Sequence, residues 1–330
     1  MQRREFITVL GGAAVAWPLS LHAQQGARKR RIGILMGYAE SDPETKLRIA
    51  AFRAGLAKRG WSEGHNIQID YRFSAATESQ QTALAKELLA LHPEVVLAHT
   101  TTVVAAVQRE SQETPVVFVG VSDPIGSGFV TSLARPNANL TGVMQYEQGI
   151  VSKWLSMLKE IAPHIERVAL IANPKTSPYN YFLSAARVAA PSLSMEIVPS
   201  PIENSATDIE RVIDAHGRQP NIGMLLPADS TAVVRRDLIV ALAAKYRLPA
   251  VYPFGYFVPA GGLMAYGIDQ NDMFRLAASY VDRILRGDKP AELPVQAPTR
   301  FAMALNLKAA KALGLRVPSG LIVAADEVIE

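Results

Sequence analysis

RIGILMGYAESDPETKLRIAAFRAGLAKRG, residues Arg31 to Gly60, reads as a strand, a polar loop and a helix. The run Arg31–Gly37 is apolar without alternation, as expected of a strand buried on both faces of a parallel sheet. Glu44–Arg59 places apolar residues at Leu47, Ala51, Ala54 and Leu56, a helical spacing that Gly60 closes. The same unit recurs downstream. Asn66–Phe73 alternates, with Ile67, Ile69 and Tyr71 on one face, and predicts a half-exposed strand. Glu78–Leu91 and Thr102–Gln112 read as helices, Glu94–Ala98 and Val116–Gly120 as buried strands. Strands separated by helices of this length imply right-handed crossovers and a parallel sheet.

The rhythm restarts beyond residue 150. Val151–Ile161, Tyr179–Ala190, Ala206–Ala215 and Ala232–Tyr246 predict helices. Arg167–Ala172, Met195–Val198, Ile222–Leu226, Ala250–Tyr252 and Leu263–Tyr266 predict the strands between and after them. Asp272–Leu285 is a strongly amphipathic helix, and Pro290, Pro294 and Pro298 punctuate an extended stretch before Phe301–Leu305 and a helix at Leu307–Leu313. Two arrays of similar size predict an α/β protein of two doubly wound parallel-sheet lobes. A chain of 330 residues suits that division, being long for a single core.

Residues 1–23 have a different character. Arg3 and Arg4 precede an apolar run from Phe6 to Leu21, and Ala23 offers a small residue for cleavage. That is the layout of an export signal, and the run is too short and too broken by Gly11, Gly12 and Pro18 to span a bilayer. The paired arginines fit a twin-arginine leader; a general-secretion signal accounts for the same residues. Residues 24–30 read as a linker, and the basic cluster Arg28-Lys29-Arg30-Arg31 runs from it into the first strand. The net charge is only +4, without a run of five or six like charges, which disfavours a nucleic-acid partner. Cysteine is absent, so thiol chemistry, cysteine–zinc sites and an acylated cysteine after the leader are excluded. The expected location is the periplasm, as a soluble species without a lipid anchor.

In doubly wound sheets, ligands bind beyond the carboxyl ends of the strands, where the strand order switches. The loops in that position carry the candidate residues. They are Tyr38 after the first strand, Thr100 and Thr101 after the third, and Ser122 and Asp123 after the fourth. In the second array they are Asn173, Ser177, Tyr179, Asp229, Ser230, Tyr252, Phe254 and Asp269. Many of these types are preferred helix caps, so each is open to a structural or a ligand-binding reading. Thr100, Thr101 and Ser177 suit a carboxylate at a helix N-terminus. Asp123, Asp229 and Asp269 suit an ammonium, and Tyr38, Tyr179, Tyr252 and Phe254 offer flat faces to a ring.

Motifs for catalysis are missing. There is no G-x-S-x-G elbow, no H-E-x-x-H, no Walker A and no G-x-G-x-x-G after the first strand. The six histidines include no metal-spaced pair, so neither a metal nor a cofactor is expected. An exported α/β enzyme acting on a small polar substrate, and a ligand sensor for a signalling partner, remain the alternatives to a binding module.

Several stretches together resemble a known family. They are RIGILMG, AFRAGLAKRGWSEGHNIQIDYR, PVVFVGVSDPIGSGFVTSLARPNANLTGV, WLSMLKEIAPHIERVALIANP, AAKYRLPAVYP, GGLMAYG, AASYVDRILRGDKPAELPVQ and the terminal NLKAAKALGLRVP and ADEVIE. The chain resembles the periplasmic substrate-binding proteins of ABC transporters, in the group with the tryptophan/tyrosine-type components. One departure is His99-Thr100-Thr101-Thr102, where a Gly/Ala-rich loop would be expected after the third strand. The resemblance implies a type I periplasmic binding protein fold with a three-crossing hinge. The crossings are expected near Gly142–Glu147, Phe254–Tyr256 and Pro294–Pro298. Lobe 1 would then hold residues 31–145 and 256–294, and lobe 2 residues 146–255 and 295–330. It also implies capture of a small carboxylate-bearing solute, amino-acid-like or aromatic, by a monomer that delivers it to an inner-membrane permease driven by a separate ATPase.

Overall fold

The computed structural model describes residues 29–74, 77–136, 139–147 and 149–330. The expected leader at 1–23, and residues 24–28 of the linker, lie outside the described residues. The first array forms β1 (Arg30–Met36), α1 (Pro43–Ala57), β2 (Ile67–Phe73), α2 (Glu78–Leu89), β3 (Val95–His99), α3 (Thr101–Glu110), β4 (Val116–Val121) and β5 (Leu140–Met144). Its five strands are all parallel, in the order β2-β1-β3-β4-β5. β3 and β4 are buried along their whole length, which is why their sequences show no alternation.

The second array forms α4 (Gly149–Ile161), β6 (Arg167–Ala172), α5 (Tyr179–Ala189), β7 (Glu196–Pro201), α6 (Ala206–Gly217), β8 (Ile222–Leu225), α7 (Ser230–Val234), α8 (Arg236–Lys245), β9 (Ala250–Tyr252) and β10 (Met264–Ile268). The chain returns to the first lobe as α9 (Gln270–Leu285). It then crosses back for β11 (Phe301–Asn306), α10 (Leu307–Ala312), α11 (Ser319–Ala324) and β12 (Glu327–Ile329). The second sheet runs β12-β11-β10-β9-β8-β6-β7, parallel except for the β10–β11 pair. Two doubly wound lobes are therefore present as expected, and in both the strand order reverses at the first strand of the array.

Three details differ from the sequence expectation. The middle crossing is not at Phe254–Tyr256. Met264 and Ala265 of β10 pair with Val251 and Tyr252 of β9, and the whole strand pairs with β11, so residues 256–268 belong to the second lobe. The chain leaves that lobe at Ile268–Gln270 instead, because the apolar GGLMAYG segment is buried as an interior strand. The stretch from Gly142 begins as β5 of the first sheet, and its glycine-interrupted five residues give little periodic signal. The helix expected at 232–246 is broken into α7 and α8 at Arg235, whose φ of −104° and ψ of 19° leave the helical range. The last crossing follows Gln296, which still bridges to Val143, while the Val295 N–H donates to the Leu133 carbonyl at 2.7 Å.

α9 holds the first lobe together from a distance in sequence. Met273, Phe274, Ala277, Ala278 and Val281 recur at helical spacing and are buried against α1 and strands β3–β5. A Cβ on Gly55 of α1 would lie 2.7 Å from the Ala278 Cβ, so the two helices approach as closely as a glycine permits. Phe274 is fully buried there, contributing about 1.5–3 kcal/mol. The first crossing is fixed to the second lobe: the buried Tyr146 hydroxyl donates to the Pro253 carbonyl, and Tyr181 Oη donates to the Tyr146 carbonyl at 3.2 Å.

Candidate functional site: the interlobe cleft

The carboxyl ends of the two sheets face each other across one small cavity. From the first lobe Tyr38, Arg48, His99, Thr100, Thr101, Gly120, Ser122 and Gln145 line it; Gln270 joins them from the start of α9. The second lobe contributes Thr176, Pro178, Ala228, Asp229, Ser230 and Phe254. The cavity measures about 20 Å³, scarcely more than one water needs, so the lobes stand nearly shut. Its lining is overwhelmingly polar. A wider cleft of about 490 Å³, lined among others by Gln81, Ala105, Arg109 and Lys175, shares Thr101 and Thr176 with it and leads outward.

Arg48 is the dominant feature of this lining. It lies on α1, is 1% exposed, and its Nε and Nη1 have no hydrogen-bond partner among the described residues. The Glu44 carboxylate is 4.0 Å from Nη2, at the limit of an ion pair. The guanidinium carbon lies 5.4 Å from the Tyr38 ring centroid and 5.7 Å from that of Tyr256. Stacking on two rings offsets part of the desolvation cost of such a cation but does not replace an anion.

Beside it, α3 starts at Thr101 with Thr100 as its cap. Thr100 has a φ of +83°, outside the favoured range for a β-branched residue, and makes no side-chain hydrogen bond to the helix amides. Its hydroxyl lies 3.4 Å from that of Thr102. The positive end of a ten-residue helix thus meets the cavity without a side-chain cap. His99 stands edge-on to both Tyr38 and Phe274, and its Nδ1 has no partner among the described residues. Burial first, and the charge of Arg48 second, hold this ring well below the ordinary histidine range, so it is neutral. Gly120 makes room for it: its φ is +77°, and a Cβ there would lie 3.2 Å from the imidazole.

Asp229 also lines the cavity, but its carboxylate is already engaged. Oδ1 accepts from Thr176 Oγ and the Thr231 N–H, and Oδ2 accepts from the Asn173 and Ala232 N–H groups. The side chain therefore caps α7 and ties two loops of the second lobe together. Burial pushes its carboxyl above the ordinary range, and those four donors pull the other way.

Seven of the thirteen candidates meet at this cavity: Tyr38, Thr100, Thr101, Ser122, Asp229, Ser230 and Phe254. The other six lie elsewhere. Asp123 accepts from the Gly126 N–H at 2.8 Å within its own turn. Asn173 lines the wider cleft, not the small cavity, and donates through Nδ2 to Thr231 Oγ at 3.0 Å, and Ser177 Oγ donates to the Ala228 carbonyl. Tyr179 donates to the Leu170 carbonyl and accepts from the Ser200 N–H, a core role. Tyr252 stacks on Phe257 inside the second lobe. Asp269 caps α9, accepting from the Asn271 and Asp272 N–H groups. Arg48, His99, Gln145 and Gln270 were not among the candidates. Arg48 sits in mid-helix at an apolar-face spacing with Ala51 and Phe52, and that misplaced charge was the signal that could have found it.

The sequence model of the family described as ABC transporter substrate binding protein matches residues 40–329. The chain belongs to that family. It is a substrate-binding component, and the expectation of a binding role over an enzymatic one holds. A curated relative, the tyrosine-binding protein of Clostridioides difficile, is 21% identical over 291 residues, 88% of this chain and 82% of the relative. Among solved structures, an ABC domain in complex with L-Trp from Streptococcus pneumoniae has a TM-score of 0.85 at 22% identity, covering 91% of this chain and all of that one. The ligand-free, open structure of a substrate-binding protein with adhesive properties from Clostridium difficile has a TM-score of 0.68 at 21% identity, over 91% of this chain and 99% of that one. These likenesses establish the type I periplasmic binding protein fold. No helix among the described residues is long and apolar enough to cross a membrane.

Proposed function

We propose that this substrate-binding protein captures a small carboxylate-bearing solute, amino-acid-like or aromatic, between its lobes. It works as an exported periplasmic monomer and hands the closed, loaded form to an inner-membrane permease driven by a separate ATPase. Arg48 carries the reading: a buried guanidinium with two unpartnered donors, beside a helix N-terminus without a side-chain cap, suits a carboxylate. Thr100, Thr101, Ser122 and Ser230 stand around it to take the remaining lone pairs, and Tyr38 and Phe254 bound the seat with apolar faces. The names of the relatives that hold L-Trp and tyrosine support a carboxylate solute of this size.

Closure follows from the geometry. A solute held by the first lobe gains its contacts with Ser230, Thr176 and Phe254 only when the second lobe swings in, so binding favours the shut form. The export-signal layout of the sequence at residues 1–23 supports that location.

Thermal unfolding of the full chain against amino acids and aromatic acids, followed by titration calorimetry, tests the reading. A carboxylate solute raises the unfolding midpoint. Arg48→Met then weakens its binding about 30-fold or more, the effect of removing one partner from a desolvated charge pair. Equal affinity in the variant removes Arg48 from the site.

A further inference from the structure

The polar groups of the cavity are unevenly matched to the two ends of an amino acid. For a carboxylate the site holds the free donors of Arg48 and the amides that begin α3. Gln270 adds a further unpartnered donor, its buried Nε2. For an ammonium the only carboxylate lining the cavity among the described residues is Asp229. A carboxylate offers about four lone-pair positions, and Asp229 spends them on Thr176, Thr231, Asn173 and Ala232. Asp42 and Glu44 are not substitutes, since neither lines the cavity: Asp42 caps α1 and pairs with Arg236, and Glu44, 4.0 Å from Arg48 Nη2, lines a separate groove that Phe254 also borders. What remains for an ammonium within the cavity itself is neutral: the hydroxyls, the amide oxygens of Gln145 and Gln270, and the uncharged His99 ring. The carboxylates of the wider cleft are Glu78, paired with Arg109 at 2.9 Å, and Glu203, and neither lines this cavity. An ammonium buried here would face the Arg48 charge without a free counter-charge, whereas a carboxylate neutralises that charge.

We propose that the cleft selects a carboxylate carrying no α-ammonium group: an unsubstituted, 2-hydroxy or 2-oxo acid in place of the corresponding α-amino acid. This rests on the carboxylate reading above and narrows it. The 2-position oxygen of such an acid finds donors in Gln270 Nε2 and Ser122, and the body of the solute extends toward the wider cleft past Thr101 and Thr176.

Matched pairs decide the matter. The full chain is titrated with L-phenylalanine, 3-phenylpropionate, phenyllactate and phenylpyruvate. L-tyrosine is compared with 4-hydroxyphenylpropionate, L-tryptophan with indole-3-propionate, and L-alanine with propionate, lactate and pyruvate. In whichever series binds, the acid without the ammonium binds at least tenfold tighter than the amino acid. An amino acid that binds as tightly as its partner, or more tightly, overturns this inference and leaves the carboxylate reading standing. Phenethylamine binding better than either, or no carboxylate binding at all, overturns both.

Discussion

Arg236, at the start of α8, donates through Nη1 to the Asp42 carboxylate at 3.0 Å, an ion pair that joins the second lobe to the first across the cleft. Asp42 uses its other oxygen to accept the Glu44 N–H at 2.8 Å and so caps α1, the helix that carries Arg48. The Arg236 guanidinium also lies 5.8 Å from the Tyr256 ring centroid, next to the ring that faces Arg48. The contact between the lobes and the proposed seat of the solute are thus linked through a single carboxylate.

Loss of that pair should favour the open form. Arg236→Ala and Asp42→Asn are the informative changes, because asparagine caps a helix about as well as aspartate and leaves α1 intact. A partly exposed pair is worth about 0.5–1 kcal/mol, so solute affinity falls about two- to fivefold in either variant. Small-angle scattering of the unliganded variants should give a larger radius of gyration than the parent. An unchanged radius and affinity would mean the pair is incidental to closure.

Asp229 is expected to act on stability first. Replacing it by asparagine presents an amide N–H₂ to groups that are themselves donors, leaving at least one buried N–H unmatched in the Asn173–Thr176 or Thr231–Ala232 loops. The loss is about 2–4 kcal/mol, read as a lower urea midpoint. A midpoint equal to that of the parent would show that the two loops hold their positions without this carboxylate.

The histidines set a pH dependence with a definite sign. His99 and His216 are both held below the ordinary histidine range, His99 by burial and then Arg48, His216 by burial and then Arg167. The unfolded chain takes up protons on them as pH drops below about 6.5, while the folded chain resists. Their contribution is therefore intact above about pH 6.5 and is lost as pH falls from there toward the lowered folded values. The thermal midpoint should decline between pH 7.5 and 5.5, and His99→Gln should flatten that decline. A parent midpoint that rises over the same interval contradicts the assignment.

The alternation of buried strands and helices, and with it the two-lobed α/β architecture, could be read from local pattern, because a parallel strand covered on both faces must be apolar throughout. Strand-end loops were equally legible, and Tyr38, Thr100, Thr101, Ser122, Ser230 and Phe254 were found there. Caps and core residues of the same types, such as Asp269, Asp123 and Tyr179, were indistinguishable from them, since a carboxylate or phenol looks the same in sequence whether it meets a ligand or a backbone amide.

Sequence alone thus determined the order of the elements, the class of fold and the end of each sheet where a ligand belongs. Tertiary structure alone decided the rest. It placed β10 inside the second sheet, moved the middle crossing to Ile268–Gln270, and turned Arg48 from one cation in a mid-helix stretch into a buried guanidinium with two donors, Nε and Nη1, left open at the cleft. It also showed Asp229 to be spent on its own loops. Periodicity is a property of neighbours along the chain, whereas pairing and desolvation depend on groups separated by tens to hundreds of residues, and only their meeting in space settles which charge is left without a partner.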